Sequence, residues 1–375
     1  MLLLIPGPVA TRPEVRAAMA VDYAPWDAEF RPLYAGVRAR VGALAGGVLD
    51  THAVLPLQGC GHFAVEAAIR SLIPPGGKLL IPMTGSYAER MARLAREAGR
   101  VVVALPTSDV APVAPEAVAR ALAADPGIGH VGLVYSETSS GVVHDPVAVG
   151  AVVRAAGRKM LLDAVSAFGA LPLDLSRQPE IDAAMFTANK CLEGMPGLAF
   201  TVARIAALLD GRGWAGSWSL DLCDIYQHAL RDGYGSFRFT PPAQVLAALR
   251  TALELHAAEG GPTARLARYA ANASTLYEGM LAIGLTPYLS RAAQGPIVLN
   301  VHAPDDAAWS LQGFVDALKA RGFLISNFFN TDLPSFRVGC IGAITPDDMR
   351  RFVAAADGAL ASMGVRHRAP VRGAA

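Results

Sequence analysis

Apolar runs of strand length alternate with amphipathic helical patterns between about residues 50 and 205. Such alternation is typical of an α/β protein whose mostly parallel sheet is covered by helices on both faces. The apolar runs predict strands at Lys78–Met83, Val101–Leu105, His130–Ser136, Lys159–Ala164, Ala183–Ala188 and Leu198–Ala203. The helical spacing predicts helices at Phe63–Ile73, Tyr87–Ala98, Pro115–Ala123 and Val147–Ala156.

The pattern changes after about residue 205, where Trp214–Asp224 and Asp232–Pro242 read as irregular, Gly- and aromatic-containing segments. Beyond them we expect a smaller α/β domain with helices at Ala243–His256, Thr263–Ile283, Ala307–Arg321 and Pro346–Ala361, and strands at Ile297–His302, Phe323–Ser326 and Ser335–Cys340. The chain is therefore divided into an N-terminal segment (1–15), a large domain (16–250) and a small C-terminal domain (251–375). Residues 366–375 are expected to fray.

Composition narrows the function class only slightly. The net charge of +1 creates no field that would attract nucleic acid or anionic lipid. The hydrophobic fraction is 53%, but no apolar run reaches the roughly 20 residues of a membrane-spanning helix. The start lacks the basic region of a signal peptide, and the four cysteines show no zinc or CxxC spacing. We expect a cytoplasmic enzyme or binding protein without a metal site.

Two polar residues end apolar strands, at the sheet edge where α/β proteins bind ligands. Asp163 ends one strand, and Lys190 follows another beside a Gly-Pro-Gly turn. An apolar setting lowers the pKa of a lysine, as a Schiff-base amine requires, and an aspartate opposite a pyridine nitrogen keeps that nitrogen protonated. Alone, Asp163 also fits a helix N-cap and Lys190 a surface loop; together they favour a shared site.

Further candidates lie at other turns. Gly59–Phe63 precedes a helix and suits a phosphate at the helix N-terminus, or is a tight turn without ligand. Tyr87 could stack on a ring or simply pack at a helix start. The hydroxyls of 137–141 could reach a ligand or form a polar turn. Arg337 suits a carboxylate or phosphonate if its strand faces the cleft.

These motifs resemble those of the class-V aminotransferases, which have the fold-type I architecture of pyridoxal 5′-phosphate (PLP) enzymes. Similar segments run from residue 2 to about 360 and include Leu2–Val9, Gln58–Ala67, Asp163–Gly169, Ala188–Gly197, Glu259–Gly261 and Phe336–Gly339. Tyr23–Asp27 and Arg238–Pro241 are similar to the branch that transfers the amino group of 2-aminoethylphosphonate to pyruvate. The resemblance implies that reaction, with phosphonoacetaldehyde and L-alanine as products.

The resemblance also implies residue roles. Lys190 would bond covalently to PLP and move the proton, and Asp163 would pair with the ring nitrogen. The predicted cofactor-binding residues are Cys60, Gly61, His62, Tyr87, Thr138, Asp163, Val165, Asn189, Lys190 and Thr240. Arg337, Pro6 and Gly7 are predicted to bind the amino donor or keto acid. Thr240 would reach the phosphate bound by the other subunit, which implies a homodimer with sites at the interface.

Several residues depart from the branch pattern, among them Ile5, Cys60, His62, Glu193 and the segment Ile325–Phe329. These departures do not affect the residues needed for PLP chemistry, but they leave other substrates possible. Those alternatives are an alanine–glyoxylate or serine–pyruvate transaminase and a PLP enzyme acting on a hydroxylated aminophosphonate. A non-catalytic relative of the fold and a cysteine nucleophile at Cys340 are disfavoured.

Overall fold

Helices and strands alternate through residues 1–231 and 237–370, the part of the chain that the computed structural model describes. In chain order, the strands β1 to β11 are Leu2–Leu3, His52–Gln58, Lys78–Met83, Val101–Pro106, Ile128–Val134, Lys159–Asp163, Ile181–Thr187, Leu198–Arg204, Val298–His302, Phe323–Leu324 and Ser335–Gly339. The α-helices α1 to α12 are Pro13–Ala17, Phe30–Leu44, Gly61–Leu72, Ser86–Glu97, Pro115–Ala124, Pro146–Ala155, Ile205–Asp210, Leu222–Arg231, Ala243–Glu259, Gly261–Ala282, Leu311–Ala320 and Pro346–Met363.

The large sheet has the strand order β2-β8-β7-β6-β5-β3-β4. Only β8 runs antiparallel to its neighbours, so the predicted mostly parallel sheet is confirmed. The sequence interpretation missed β2, which contains Pro56. Proline cannot donate a ladder hydrogen bond and is tolerated at sheet edges, and β2 is an edge strand.

Helices cover both faces of this sheet, as predicted. Successive strand residues point to opposite faces, so neighbours such as Leu161 and Leu162 enter different cores. One core contains residues of α2 and α9, and the other contains residues of α3 and α4. Phe186 stacks between Phe168 and Phe200, with ring centroids 3.7 and 5.2 Å away.

The C-terminal part forms its own apolar core around the antiparallel pair β9 and β11, packed by α10, α11 and α12. The N-terminus joins this core, because β1 pairs in parallel with β10 and Leu4 is fully buried there. The domain limits at 15/16 and 250/251 stay predictions. No helix in residues 1–231 and 237–370 has the length and apolarity needed to cross a bilayer.

Two local predictions were wrong. The helix expected from Ala307 begins at Leu311, because Ser310 caps its first turn by accepting the Gly313 N–H. The expected frayed tail is held as far as Ala369, since Asp306 accepts the N–H groups of residues 366 and 367 and the Ala369 carbonyl accepts the Asp305 N–H. Residues 232–236 of the segment Asp232–Pro242, and 371–375 of the tail, lie outside the described residues.

Candidate active site

The carboxyl ends of β6 and β7 and the amino ends of α3 and α4 meet at one cavity of about 310 Å³. Predicted site residues that line it are Gly7, Cys60, Gly61, His62, Tyr87, Asp163, Val165, Asn189 and Lys190. The sequence interpretation missed the other lining residues, which are Pro8, Val65, Arg90, Met91, Leu94, Thr187, Pro196 and Gly197. Arg90 follows Tyr87 by three positions on one helix, and that spacing could have indicated it.

Lys190 follows β7 with only 8% of the residue exposed. Burial lowers the pKa of its ammonium group below 10.5, although Tyr87, Cys191 and Asp163 act to raise it. A lowered pKa favours the free amine, which is the form that attacks an aldehyde. Gly7 has a φ of +154°, and a Cβ added there would lie 2.6 Å from Lys190 Nζ, so glycine suits this close approach of the N-terminal segment.

Asp163 ends β6 and is 7% exposed. The Val165 N–H donates to its Oδ1 at 3.0 Å. Burial raises the pKa of the carboxyl to about 6, against the lowering effects of the Val165 N–H and the charges of Lys190 and Arg90. A protonated ring nitrogen beside it would stabilise the carboxylate and bring the pKa down again.

The amino end of α3 forms an anion cradle. Its N-cap residue Cys60 makes no side-chain cap, so the first N–H groups are left for a ligand, and the helix dipole favours a negative charge there. A Cβ added at Gly61 would lie 2.5 Å from Val165 Cγ2, which explains the glycine. Burial lowers the pKa of His62 from 6.5, and Arg90 lowers it further, so the neutral imidazole is favoured near pH 7.

Asn189 presents a second donor to this cradle. The Thr187 hydroxyl donates to Asn189 Oδ1 at 2.7 Å. Because that bond engages the amide oxygen, the Nδ2 group is left as the donor for an anion. Thr187, Asn189 and Gly61 line the same cavity.

Tyr87 stands in the first turn of α4, and the guanidinium of Arg90 lies 5.0 Å from its ring centroid. Burial acts to raise the pKa of Tyr87, but Lys190, a hydrogen bond with Thr138, and Arg337 together lower it below 10. Tyr87, Thr138 and Arg337 therefore lie together, although Thr138 and Arg337 do not line the cavity itself, and their roles stay predictions.

Arg337 lies in β11 with only 3% exposed. Its Nη1 donates to the Thr138 carbonyl at 3.2 Å, and its Nε donates to the Ser326 hydroxyl at 3.4 Å. Within residues 1–231 and 237–370 it forms no salt bridge. The Tyr87 side chain also accepts a hydrogen bond from Arg337. Burial lowers the pKa of the guanidinium overall, although Tyr87 and Glu137 act to raise it. A buried cation without a salt-bridged carboxylate favours an anionic ligand.

Pro6 and Thr240 do not line the cavity. Pro6 is buried beside the end of β11, where a Cβ added at Gly339 would lie 2.9 Å from its nitrogen. Thr240 is exposed in a surface groove that also includes Trp26 and Trp218. One chain therefore does not bring Thr240 to Lys190, and its role in the partner's site stays a prediction.

A buried ion-pair network supports the turn after Lys190. Glu193, at φ 56°, accepts hydrogen bonds from Arg268 at 2.7 Å and from the Tyr269 hydroxyl at 2.8 Å. Arg265 donates to the Cys191 carbonyl at 2.6 Å. The Glu193 carboxylate thus neutralises arginines from α10 and holds the lysine turn.

Glu137 is a fully buried acid that the sequence interpretation treated only as part of a polar turn. The hydroxyl and the N–H of Ser139 donate to its Oε1 at 2.6 and 3.1 Å. Burial raises its pKa to about 7, and the bonds from Ser139 offset only part of that effect. Glu137 is therefore a titratable group beside Tyr87 and Asp163.

Glu137 is predicted to make the cofactor-free protein less stable as the pH rises. Its pKa of about 7 in the folded chain lies above the ordinary 4.5. Its contribution to the free energy of unfolding is therefore fully present below pH 4.5 and is lost as the pH rises through 7. Denaturant unfolding should show that the free energy of unfolding falls by up to about 3 kcal/mol across this pH range. Glu137→Gln should flatten the profile, and the exposed Glu116→Gln should not; an unchanged profile in Glu137→Gln would refute the assignment.

The donor set fits PLP. A buried amine of lowered pKa suits the aldehyde, a carboxylate suits the ring nitrogen, and an uncapped helix N-terminus suits the phosphate. At Gly7 and Gly61 the backbone comes so close to the Lys190 and Val165 side chains that a Cβ would collide with them. All of these groups line one cavity.

Comparison with known proteins agrees with this chemistry. A family model described as aminotransferase class-V matches residues 25–317. The chain is 44% identical to 2-aminoethylphosphonate–pyruvate transaminase of Burkholderia ambifaria (strain MC40-6), covering 97% of this chain and 96% of that protein. It is 42% identical to the transaminase of the same name from Pseudomonas putida (strain W619), covering 97% and 98%.

A solved structure agrees with the fold. The chain superposes on pyridoxamine–pyruvate aminotransferase from Mesorhizobium loti with a TM-score of 0.87 and 26% identity, covering 98% of this chain and 93% of that one. The predicted fold-type I architecture is thus confirmed. The chain belongs to the class-V aminotransferases, and its cofactor is pyridoxal 5′-phosphate.

Proposed function

We propose that this enzyme transfers the amino group of 2-aminoethylphosphonate to pyruvate, giving phosphonoacetaldehyde and L-alanine. The observation that carries the proposal is 42–44% identity over at least 97% of the chain to relatives named for that reaction. The buried Arg337 beside the cavity, which forms no salt bridge within the described residues, supports it, since both substrates carry an anionic group.

Lys190 is proposed as the residue that bonds to the cofactor and then carries the proton. When bound, PLP supplies an electron sink for the substrate carbanion. Burial of the Lys190 amine lowers its pKa, so it can accept a proton from the substrate α-carbon near neutral pH. Asp163 is proposed to keep the ring nitrogen protonated, since its carboxylate is buried in the same cavity.

The other predicted cofactor-binding residues are proposed to bind and orient the cofactor. Backbone N–H groups at Cys60, Gly61 and His62, with the Asn189 amide, would bind the phosphate, for which α3 provides the favourable dipole end. Tyr87 and Val165 would pack against the ring. Thr138, which lies beside the cavity next to Tyr87, would bond the 3′-oxygen of the ring.

Arg337 is proposed to bind the substrate carboxylate or phosphonate, with Pro6 and Gly7 shaping the pocket around it. Gly7 approaches Lys190, and Pro6 lies beside the end of β11, so both belong to a segment between the lysine and the arginine strand.

We further propose a homodimer in the cytoplasm with sites at the interface. Trp26 and Trp218 are each 69% exposed and Phe239 is 48% exposed, around the groove that contains Thr240. Exposed aromatic residues of this kind are enriched at protein interfaces. The four cysteines are free thiols, as is usual in the cytoplasm.

An amino-donor panel tests the proposed reaction. PLP-loaded protein is given 2-aminoethylphosphonate, serine or a hydroxylated aminophosphonate, each with pyruvate and with glyoxylate, or alanine with glyoxylate, and the product amino acid is measured. We expect the highest kcat/KM for 2-aminoethylphosphonate with pyruvate. Preference for alanine with glyoxylate or serine with pyruvate, or ammonia release without any acceptor, would replace the proposal by the corresponding alternative.

A further inference from the structure

Tyr269 of α10 is a fully buried tyrosine whose hydroxyl meets the turn after Lys190. The hydroxyl donates to Glu193 Oε1 at 2.8 Å and lies 3.4 Å from the Cys191 carbonyl oxygen. It also accepts the Gly342 N–H at 3.3 Å. Burial and the Glu193 carboxylate raise the pKa of this phenol well above 10, so the hydroxyl keeps the proton that it donates. One hydroxyl therefore joins the lysine turn to the loop that follows β11.

The helix that carries this hydroxyl packs in two apolar cores. Tyr269 belongs to the core that contains residues of α2 and α9. Leu276 and Met280, further along α10, belong to the core around β9 and β11. Asn272 lies between them and donates to the Cys340 carbonyl at 3.0 Å. Because α10 is anchored in both cores, the Tyr269 oxygen has little freedom to move.

Glu193 transmits this restriction to the lysine. Its φ of 56° is uncommon for a residue other than glycine and persists where the surroundings fix it. The side chain is fixed by the bonds from Arg268 and Tyr269. The Glu193 N–H donates to the Lys190 carbonyl at 2.9 Å. A shift of Glu193 would therefore move the backbone of Lys190 directly.

We propose that Tyr269 is a positioning residue for Lys190. The proposal rests on the proposed function, in which Lys190 carries the proton. Proton transfer requires the amine within hydrogen-bond reach of the reacting atom, and a misplacement of about 1 Å can cost roughly 10²-fold in rate. The Tyr269 hydroxyl fixes Glu193, and Glu193 fixes the turn from which the lysine side chain starts. Tyr269 does not line the cavity, so it acts through this turn.

Tyr269→Phe removes the hydroxyl and keeps the buried ring. Both half-reactions need Lys190, so the single-turnover rates should each fall about tenfold. They are measured by cofactor absorbance, with 2-aminoethylphosphonate on PLP-loaded protein and with pyruvate on protein loaded with pyridoxamine phosphate. The apparent dissociation constants of both substrates should change less than about twofold, because the anion-binding Arg337 is untouched.

Tyr277→Phe is the matched control. Tyr277 is also a buried tyrosine of α10, and its hydroxyl donates to the Leu289 carbonyl at 3.2 Å. The loss of this bond should lower the melting temperature about as much as Tyr269→Phe does, since each variant leaves one backbone group without its partner. Both single-turnover rates should stay unchanged in Tyr277→Phe. The comparison separates positioning of the lysine from a purely structural role.

Two substitutions of Glu193 test the same route from the other side. Glu193→Gly suits the φ of 56° but removes the side chain, so it should slow both half-reactions as Tyr269→Phe does. Glu193→Gln restores an acceptor oxygen for the hydroxyl and should recover most of that loss. Tyr269→Phe added to Glu193→Gly should cause no further loss, because the hydroxyl acts through Glu193. The Glu193 pair decides the question if Tyr269→Phe does not fold.

Several results would overturn the inference. They are rates within about twofold of the unmodified enzyme in Tyr269→Phe or Glu193→Gly, an equal loss in Tyr277→Phe, and additive losses in the double variant. A loss confined to one half-reaction would also overturn it, because Lys190 serves both. The proposed function fails separately if the unmodified enzyme uses a different amino donor, and the same comparison is then made with that donor.

Discussion

Lys190→Ala is expected to abolish turnover, with a loss of at least about 10⁴-fold in kcat. The variant removes both the amine that bonds to PLP and the base that carries the proton. The site has no second amine within the cavity lining, because Lys190 is its only lysine among the described residues. The visible absorbance of lysine-bound PLP should disappear with the activity, although the phosphate cradle at α3 remains intact.

Two measurements on the purified variant check this result. The visible absorbance is recorded after PLP addition, and alanine production reports the activity. Lys159→Ala is the matched control, since that lysine begins the neighbouring strand β6 and its side chain is 46% exposed. The control should keep both the band and the turnover. Retained activity in Lys190→Ala would refute the assignment of the central residue.

Asp163→Asn is expected to lower kcat by about 10²- to 10³-fold while PLP stays bound. Asparagine has nearly the same shape and can still accept the Val165 N–H bond seen at 3.0 Å, but it carries no charge to keep a ring nitrogen protonated. The electron sink is therefore weakened, whereas Lys190 and the anion cradle are untouched.

Steady-state kinetics and a PLP titration separate these effects. Asp125→Asn serves as a control, because Asp125 pairs with Lys78 on the surface, with a 33% exposed side chain. We expect an unchanged dissociation constant for PLP in Asp163→Asn and unchanged kcat in the control. A kcat within about threefold of the unmodified enzyme in Asp163→Asn would contradict the proposed pairing with the ring nitrogen.

The sequence allowed the sheet and the centre of the site to be predicted for one physical reason. Buried parallel strands are continuous apolar runs, so polar residues at their ends, such as Asp163 and Lys190, stand out. The same rule failed at β2, where Pro56 interrupts an apolar run that an edge strand can tolerate. A hydrophobic pattern also does not give the direction of a strand. The antiparallel course of β8 therefore could not be predicted from it.

Other parts of the site depend on contacts between distant segments. Thr138 and Arg337 are 199 positions apart, and their hydrogen bond joins the segment after β5 to strand β11 of the C-terminal part. The approach of Gly7 to Lys190, the burial of Glu137 and the contact of Arg337 with the Phe328 ring are likewise tertiary effects. Family resemblance supplied Arg337 and Gly7 as candidates, but the residues alone left Arg337 as either a strand residue or an anion-binding group.

The reaction with 2-aminoethylphosphonate alone, without a keto acid, tests the central claim most directly. PLP-loaded protein is mixed with this donor while the visible cofactor band and phosphonoacetaldehyde are measured; pyruvate is then added. We expect loss of the band with one equivalent of phosphonoacetaldehyde per site, followed by return of the band and formation of an equal amount of L-alanine. A band that 2-aminoethylphosphonate leaves unchanged, but that alanine or serine removes, would contradict the proposed function.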